Sequence, residues 1–215
     1  MTQNNLNKQV IFVDFNGVIS YNDFWESVKS ESHPLHSYHR SIENYLFKQE
    51  PEIVKKWMLG GYTSEEIHKI LEQKVGVSYD LLWEVFVKDC SNIDISSKVM
   101  EKLRQLKQHF YLILSTGNMD SFDRFTLPNN PILSQTFDEI NNSYNIKMFK
   151  SSNKGEYFKN KLDKLGKTMD TAFVIDDSEK ICRVFNELGG KAFCVYGEDK
   201  VLVILDELTN YEKSK

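Results

Sequence analysis

The sequence predicts an α/β protein with a doubly wound parallel sheet and an all-helical insertion. Short apolar runs alternate with helix-like segments, beginning with the run at residues 10–13, and such alternation is typical of a parallel sheet covered by helices. Between about residues 21 and 92 the chain carries only helical periodicity. We therefore expect an α/β core formed by residues 1–20 and 93–215, and a helical insert formed by residues 21–92.

The predicted strands are short runs rich in β-branched and aromatic residues, which favour extended structure. The first run has no polar face, as expected of a strand that is buried on both sides of the sheet. The run at 146–149 contains Lys147 and is the weakest. The predicted strands cover residues 10–13, 110–114, 146–149, 172–175 and 192–195.

The helical insert is predicted from apolar stripes and helix-start signals. Pro51 is placed to open one helix, and Thr63 with Glu66 forms the pattern of a capping box that opens the next. Gly60 and Gly76 separate the stripes. Most of the large apolar residues in these stripes are expected to be core, because burial is their usual state.

Composition indicates an ordinary globular chain. The 215 residues are 40% hydrophobic and 27% charged, with a net charge of −4, which excludes a disordered or collagen-like chain. The acidic balance argues against a nucleic-acid or anionic-membrane partner. We expect a cytoplasmic protein, because residues 1–9 are polar and no signal peptide is recognised. The three cysteines are expected to be reduced thiols, since they form no metal-binding pattern; the oligomeric state is not predicted.

Polar residues follow three of the predicted strands directly. Ligands of open parallel sheets bind at the carboxyl ends of the strands, so these residues are expected to meet at one edge of the sheet. They are Asp14 and Asn16 after the first run, Ser115, Thr116, Gly117 and Asn118 after the second, and Asp176 with Asp177 after the run at 172–175.

The acidic members of this group predict a magnesium site. Asp14, Asp176 and Asp177 would repel one another without a cation. Mg²⁺ takes oxygen ligands and is commonly held by a few carboxylates together with water and substrate phosphate. A lone aspartate at a strand end is more often a helix cap or a turn former, but that explanation does not cover all three positions.

Lys154 is predicted to supply a positive charge to the same site. It lies at the start of a helix-like segment, where a lysine opposes the helix dipole and so gains no stability from its position. We prefer it to Lys150, and we expect Lys159 and Lys161 to lie on solvated faces.

The strand-end motifs together resemble those of the haloacid dehalogenase superfamily, the aspartate-nucleophile hydrolases. Val-Ile-Phe-Val-Asp-Phe-Asn-Gly-Val resembles its first motif, Leu-Ile-Leu-Ser-Thr-Gly-Asn its second, Lys154 its third, and Phe-Val-Ile-Asp-Asp-Ser its fourth. The motifs are short, but their order and combination are specific. The resemblance implies a Rossmann-like core, and it makes the helical insert the helical cap found between the first two motifs.

The resemblance also implies roles for individual residues. Asp14 would attack the phosphorus of a small phosphomonoester and form an aspartyl-phosphate intermediate. Mg²⁺ would be held by the Asp14 carboxylate, the Asn16 carbonyl, Asp176 and Asp177. Substrate phosphate would be bound by Ser115 and Lys154, near Thr116, Gly117 and Asn118. The cap would select the substrate, and the cap residues expected to contact it are Phe24 and Trp25.

Asn16 departs from the phosphatase pattern, which has a second aspartate at this position. An amide cannot exchange a proton near neutral pH, so a step that usually contributes about 10²-fold to 10⁴-fold is weakened. Asn16 is compatible with a substrate that has a good leaving group or supplies its own acid, such as an acyl or anhydride phosphate, with a binding module that has lost turnover, or with an engineered trap. The sequence leaves all of these open.

Three other functions fit the sequence less well than a phosphatase does. A 2-haloacid dehalogenase also lacks the second aspartate, but it needs no metal, and the first arginine after Asp14 is Arg40. A phosphorelay receiver domain has its acidic pair first and its lysine last, which is the reverse of the order here. A dinucleotide-binding fold is excluded because no Gly-x-Gly-x-x-Gly follows the first strand.

Overall fold

A computed structural model of the chain describes residues 8–213. Its centre is a parallel sheet of five strands in the order β3-β2-β1-β4-β5, with helices on both faces, so the predicted α/β fold class is confirmed. The strands are β1 (Gln9–Val13), β2 (Phe110–Thr116), β3 (Glu139–Asn142), β4 (Ala172–Asp176) and β5 (Lys191–Cys194).

The helices follow the chain in two groups. Four lie between β1 and β2 before α5 leads into the sheet; these are α1 (His36–Glu43), α2 (Pro51–Met58), α3 (Ser64–Val75) and α4 (Tyr79–Ser91). The others belong to the sheet and are α5 (Ser97–Leu106), α6 (Leu127–Asn129), α7 (Pro131–Thr136), α8 (Ser143–Ile146), α9 (Glu156–Leu165), α10 (Glu179–Glu187) and α11 (Glu198–Lys213).

Several turns of other helix types link these elements. Tighter 3₁₀ turns cover Glu26–Lys29, Ser152–Lys154 and Met169–Thr171. Wider π-helical turns extend α1 over Asn44–Gln49 and precede α6 over Phe122–Thr126.

The prediction of a strand at 146–149 was wrong. The strand paired with β2 is β3, where Ile113 is in register with Glu139. Residues 143–146 form α8, which begins where the Asn142 side chain accepts a hydrogen bond from the Tyr144 amide. Lys147 then adopts a left-handed conformation, with φ of 56°, and ends the helix. The apolar residues of 146–149 therefore belong to a helix end and a loop.

The apolar side chains are arranged in three clusters. The two faces of the sheet carry one cluster each: Ile11 and Val13 point to one face, and Val10 and Phe12 to the other. This is the alternation expected of a strand buried on both sides. The third cluster lies mainly in the segment between β1 and β2, includes the fully buried Trp57, and is joined by Met119 from the segment after β2.

The segment between β1 and β2 is helical, and its predicted helix starts are present. Pro51 is the first residue of α2. Thr63 and Glu66 form the capping box of α3. The division of the chain at residues 20 and 92 stays a prediction, and the parts of the predicted core at 1–7 and 214–215 lie outside the described residues. In the part of the chain that the structure describes, no helix is long and apolar enough to span a membrane, and the three cysteines are free thiols.

Candidate active site

Three carboxylates meet at the carboxyl ends of β1 and β4. Asp14 follows β1, and its amide continues the ladder by donating to the carbonyl of Ile175 over 2.9 Å. Asp176 ends β4 and Asp177 follows it. Each of the three aspartates offers an oxygen that lies within 4.8 Å of the others. The register of two neighbouring strands therefore brings together residues that are about 160 positions apart in the chain.

Lys150 lies between two of these carboxylates. Its Nζ is 2.8 Å from Oδ2 of Asp14 and 2.5 Å from Oδ2 of Asp176. The lysine side chain is only 10% exposed, and that of Asp176 is fully buried. A buried ammonium in contact with two carboxylates is held by charge-assisted hydrogen bonds, which are the stronger kind.

Lys154, the lysine predicted for the site, is exposed and lies in the turn Ser152–Lys154. Its backbone has φ of 55°, and Gly155 after it is also left-handed. These two left-handed residues form the bend from which α9 begins. The bend accounts for the position of Lys154 before the helix. Lys150, which precedes the turn, reaches the carboxylates.

Burial and mutual repulsion control the ionisation of this group. Burial raises the pKa of Asp14, an effect that the Lys150 ammonium opposes and the Asp176 carboxylate reinforces. Burial also raises the pKa of Asp177, with repulsion from Asp176 as the next cause. The pKa of Lys150 is raised, because the attraction of Asp14 and Asp176 outweighs the cost of its burial. The site thus binds positive charge strongly.

The donor set fits a divalent cation. With Asp14, Asp176 and Asp177 ionised, one ammonium leaves two negative charges uncompensated, and oxygen ligands of this kind suit Mg²⁺. The Asn16 carbonyl is also free of the backbone ladder, since the bridge between Asn16 and Ser20 uses the Phe15 carbonyl and the Gly17 amide. Gly17 lies against the Asp177 carboxylate, where a Cβ would collide with it, so the close approach requires glycine.

The end of β2 brings the predicted phosphate-binding residues to the same edge of the sheet. Ser115 and Thr116 are its last residues, and both are buried. The Ser115 Oγ shares a hydrogen bond of 2.5 Å with the hydroxyl of Tyr157, which comes from α9. Burial raises the pKa of Tyr157, so the phenol stays protonated and can donate to Ser115. Tyr157 was not predicted as a site residue.

Asn16 and Asn118 are joined by their side-chain amides. Asn118 accepts a hydrogen bond from the Met119 amide through Oδ1 and donates from Nδ2 to Oδ1 of Asn16 over 3.1 Å. A second, longer bond from Nδ2 goes to Thr116 Oγ1 at 3.4 Å. Because the Asn118 oxygen is already used by Met119, the orientation of both amides is set.

A cavity of about 450 Å³ opens between this edge of the sheet and the helical insert. Asn16, Gly117 and Met119 line it from the side of the sheet. The other lining residues come from the insert and are mostly apolar; they are Asp23, Phe24, Trp25, Val28, His39, Ile42, Glu43, Phe47, Val54 and Met58. Its size is that of a small-molecule site.

Phe24 and Trp25, the residues predicted to contact substrate, both line this cavity. Trp25 is 3% exposed and belongs equally to the core of the insert, since its ring packs on Phe86 at 5.2 Å and its Nε1 donates to Nε2 of His68. Trp25 has φ of 54°. The contact of Phe24 and Trp25 with a substrate stays a prediction.

The segment after β2 also holds the helical insert against the sheet. The buried Asp120 carboxylate accepts hydrogen bonds from Trp57 Nε1 of α2 and from the backbone amide and hydroxyl of Ser64 of α3. Arg124 donates to both Asp120 and Glu65. Sequence reasoning missed this network, although Asp120 lies two residues beyond the second motif.

Comparison with known proteins supports the fold directly. No protein-family description and no curated protein sequence matches the chain. A solved structure of a HAD (haloacid dehalogenase) family enzyme from Bacteroides thetaiotaomicron does match. Its TM-score is 0.71 and its identity is 21%, and the match covers 89% of this chain and 96% of that one. The chain has the haloacid dehalogenase fold.

Other proteins with the haloacid dehalogenase fold agree over most of their length. A predicted HAD-like family hydrolase from Porphyromonas gingivalis has a TM-score of 0.70 and 18% identity, over 94% of this chain and 98% of that one. A 2-haloacid dehalogenase from Pseudomonas syringae has a TM-score of 0.57 and 13% identity, over 86% and 85%. The Bacteroides enzyme was also solved in complex with magnesium and inorganic phosphate, with a TM-score of 0.68.

Proposed function

We propose that the chain is a magnesium-dependent phosphohydrolase that acts on a small phosphomonoester through Asp14. The observation that carries the proposal is the convergence of Lys150 with Asp14, Asp176 and Asp177 at one edge of the sheet. One buried cation beside a nucleophilic carboxylate, with two further carboxylates that could hold a divalent ion, is suited to phosphoryl transfer, which depends mainly on positioning and charge neutralisation.

In this proposal Asp14 is the nucleophile. Its Oδ1 accepts a hydrogen bond of 2.7 Å from the Phe15 amide, and its Oδ2 contacts Lys150, so the carboxylate is held in one orientation. Lys150 would bind a phosphoryl oxygen and reduce the repulsion between phosphate and carboxylate. Ser115, supported by Tyr157, would bind another phosphoryl oxygen.

Magnesium would be held by Asp14, Asp176, Asp177 and the carbonyl of Asn16. When bound, it would neutralise charge on the transferring phosphoryl group. The haloacid dehalogenase fold and the magnesium-phosphate complex of the Bacteroides enzyme support this assignment.

Turnover of 4-nitrophenyl phosphate with and without Mg²⁺ tests the proposal. We expect multiple turnovers that require Mg²⁺ and disappear in Asp14→Asn, because the amide is not a nucleophile. Tight binding of phosphate without turnover in the presence of Mg²⁺, in both the wild type and Asn16→Asp, would instead support a binding module. Dehalogenase activity is checked with 2-chloropropionate, and chloride release without phosphatase activity would contradict the proposal.

A further inference from the structure

The side chain at position 16 is held as a hydrogen-bond donor. Its Oδ1 accepts from Asn118 Nδ2, and within residues 8–213 no acceptor is seen for its Nδ2. That NH₂ group can stabilise negative charge on a nearby oxygen, but it cannot transfer a proton to it. A leaving group next to Asn16 therefore has to depart as an anion.

The cavity beside Asn16 suits an apolar group without charge. Phe24, Trp25 and Phe47 provide aromatic surface. None of the described residues that line the cavity is a lysine or an arginine, whereas Asp23 and Glu43 are acidic. Asp23 contacts Lys29 over 2.6 Å and Glu43 contacts His39 over 3.5 Å, so the basic groups beside the cavity already have acidic partners. A second phosphate or carboxylate on the substrate would have to compete with these carboxylates for them.

We propose that the substrate is an aryl phosphate, or an ester of similar chemistry, whose organic part carries no charged substituent, lies in the cavity and leaves as a stabilised anion. The inference rests on the proposed function and deepens it by naming the substrate class. Two observations carry it: the Asn16–Asn118 amide pair and the apolar lining that begins at Asn16.

The proposed reaction proceeds without a general acid. The Asp14 carboxylate forms a bond to phosphorus while the bond from phosphorus to the aryl oxygen breaks, and its electron pair leaves with that oxygen. The Asn16 amide stabilises the phenolate, which takes a proton from solvent if it needs one. Water then attacks the phosphorus and the bond from phosphorus to the Asp14 oxygen breaks, which releases the carboxylate. One proton of the water stays on the new phosphate oxygen, and the other goes to solvent.

A matched pair of substrates tests the leaving-group requirement. 4-Nitrophenyl phosphate and 4-nitrobenzyl phosphate have nearly the same shape, but one leaves as a stabilised phenolate and the other as an alkoxide. We expect wild-type kcat/KM to be larger for the nitrophenyl ester by about 10²-fold or more, the size of a missing general acid. The ratio kcat/KM is used because slow hydrolysis of the aspartyl phosphate lowers kcat and KM by the same factor, which cancels in the ratio.

Asn16→Asp gives the complementary result. It restores a group that can protonate the alkoxide, so kcat/KM for the nitrobenzyl ester should rise by about 10²-fold while that for the nitrophenyl ester changes by less than about tenfold. Equal wild-type kcat/KM for the two esters would overturn the inference and leave the phosphohydrolase proposal intact. Failure of wild type and Asn16→Asp to turn over either ester would overturn both.

The position of the organic group is tested at the rim of the cavity. Phe47 lines the cavity and is 49% exposed, while Leu81 is 55% exposed and lies outside it, so neither substitution should unfold the protein. We expect Phe47→Ala to raise KM for 4-nitrophenyl phosphate by about threefold to tenfold through lost apolar contact, and Leu81→Ala to leave it unchanged. The same KM in both variants would place the group elsewhere and overturn the inference.

Discussion

At the scale of single residues, the site depends on which of two nearby lysines reaches the carboxylates. Lys150 precedes a short turn and Lys154 ends it, yet Lys150 contacts Asp14 and Asp176 and Lys154 is exposed. A left-handed backbone at Asn153 and Lys154 turns the chain between them. Side-chain direction, rather than closeness in sequence, decides which lysine can act.

Substitution of the two lysines by methionine separates their roles. Lys150→Met should lower kcat/KM for 4-nitrophenyl phosphate by about 10³-fold, because a preorganised positive charge at the reacting phosphate is lost. Lys154→Met should leave kcat/KM within about twofold of wild type, because an exposed lysine of this kind is a solvated charge. Steady-state kinetics with saturating Mg²⁺ measures both, and equal losses would contradict the assignment of Lys150.

Tyr157 is expected to position Ser115. Tyr157→Phe removes one hydrogen bond to Ser115 Oγ, which should lower kcat/KM by about threefold to tenfold. Tyr111→Phe is the matched control, because Tyr111 bonds to Glu139 and contacts none of the proposed catalytic groups. If both variants lose activity equally while remaining folded, Tyr157 has no specific role in positioning.

At the scale of elements, Asp120 connects the end of β2 to two helices of the insert. It is 4% exposed and accepts hydrogen bonds from Trp57, Ser64 and Arg124. Burial would raise the pKa of Asp120, but these hydrogen bonds outweigh it and lower the pKa below its usual value. The ionised carboxylate therefore stabilises the contact between insert and sheet.

Replacing Asp120 by asparagine should weaken this contact strongly. The amide places donors opposite other donors and leaves Arg124 without its buried partner, which costs about 3 kcal/mol. Glu65→Gln alters the same Arg124 network at the surface and should cost less than about 1 kcal/mol. Urea unfolding at pH 7 measures both, and similar free energies of unfolding for the two variants would show that the network contributes little.

At the scale of the whole molecule, stability should depend on keeping His68 neutral. His68 is fully buried, its Nδ1 is 2.7 Å from the Ser64 carbonyl, and its Nε2 accepts a hydrogen bond from Trp25. Burial lowers the pKa of His68 to about 4, although the Ser64 carbonyl, Glu65 and Asp120 act in the other direction. A proton on Nε2 would also remove the acceptor for Trp25.

The pH dependence follows from this shift. Between the ordinary pKa of about 6.5 and the lowered pKa of about 4, the unfolded chain binds a proton that the folded chain does not. Folding stability therefore falls as pH falls through this range, by about 2 kcal/mol between pH 7 and pH 5. His68→Gln should lose this part of the dependence, whereas His109→Gln, at an exposed position, should keep it. Urea unfolding at both pH values measures the difference.

The sequence by itself determined the α/β class, four of the five strands and the meeting of Asp14 with Asp176 and Asp177. These features depend on local patterns and on one general rule, that the carboxyl ends of parallel strands share an edge. The strand predicted at 146–149 failed because a short apolar run does not distinguish a strand from a helix end.

Only the tertiary structure decided how the site is completed. The choice of Lys150, the support of Ser115 by Tyr157 and the amide pair of Asn16 and Asn118 all join residues from different elements. The cavity likewise exists only where the helical insert packs over the sheet. Such contacts depend on side-chain directions and on distances between elements, which a periodic pattern of apolar residues does not encode.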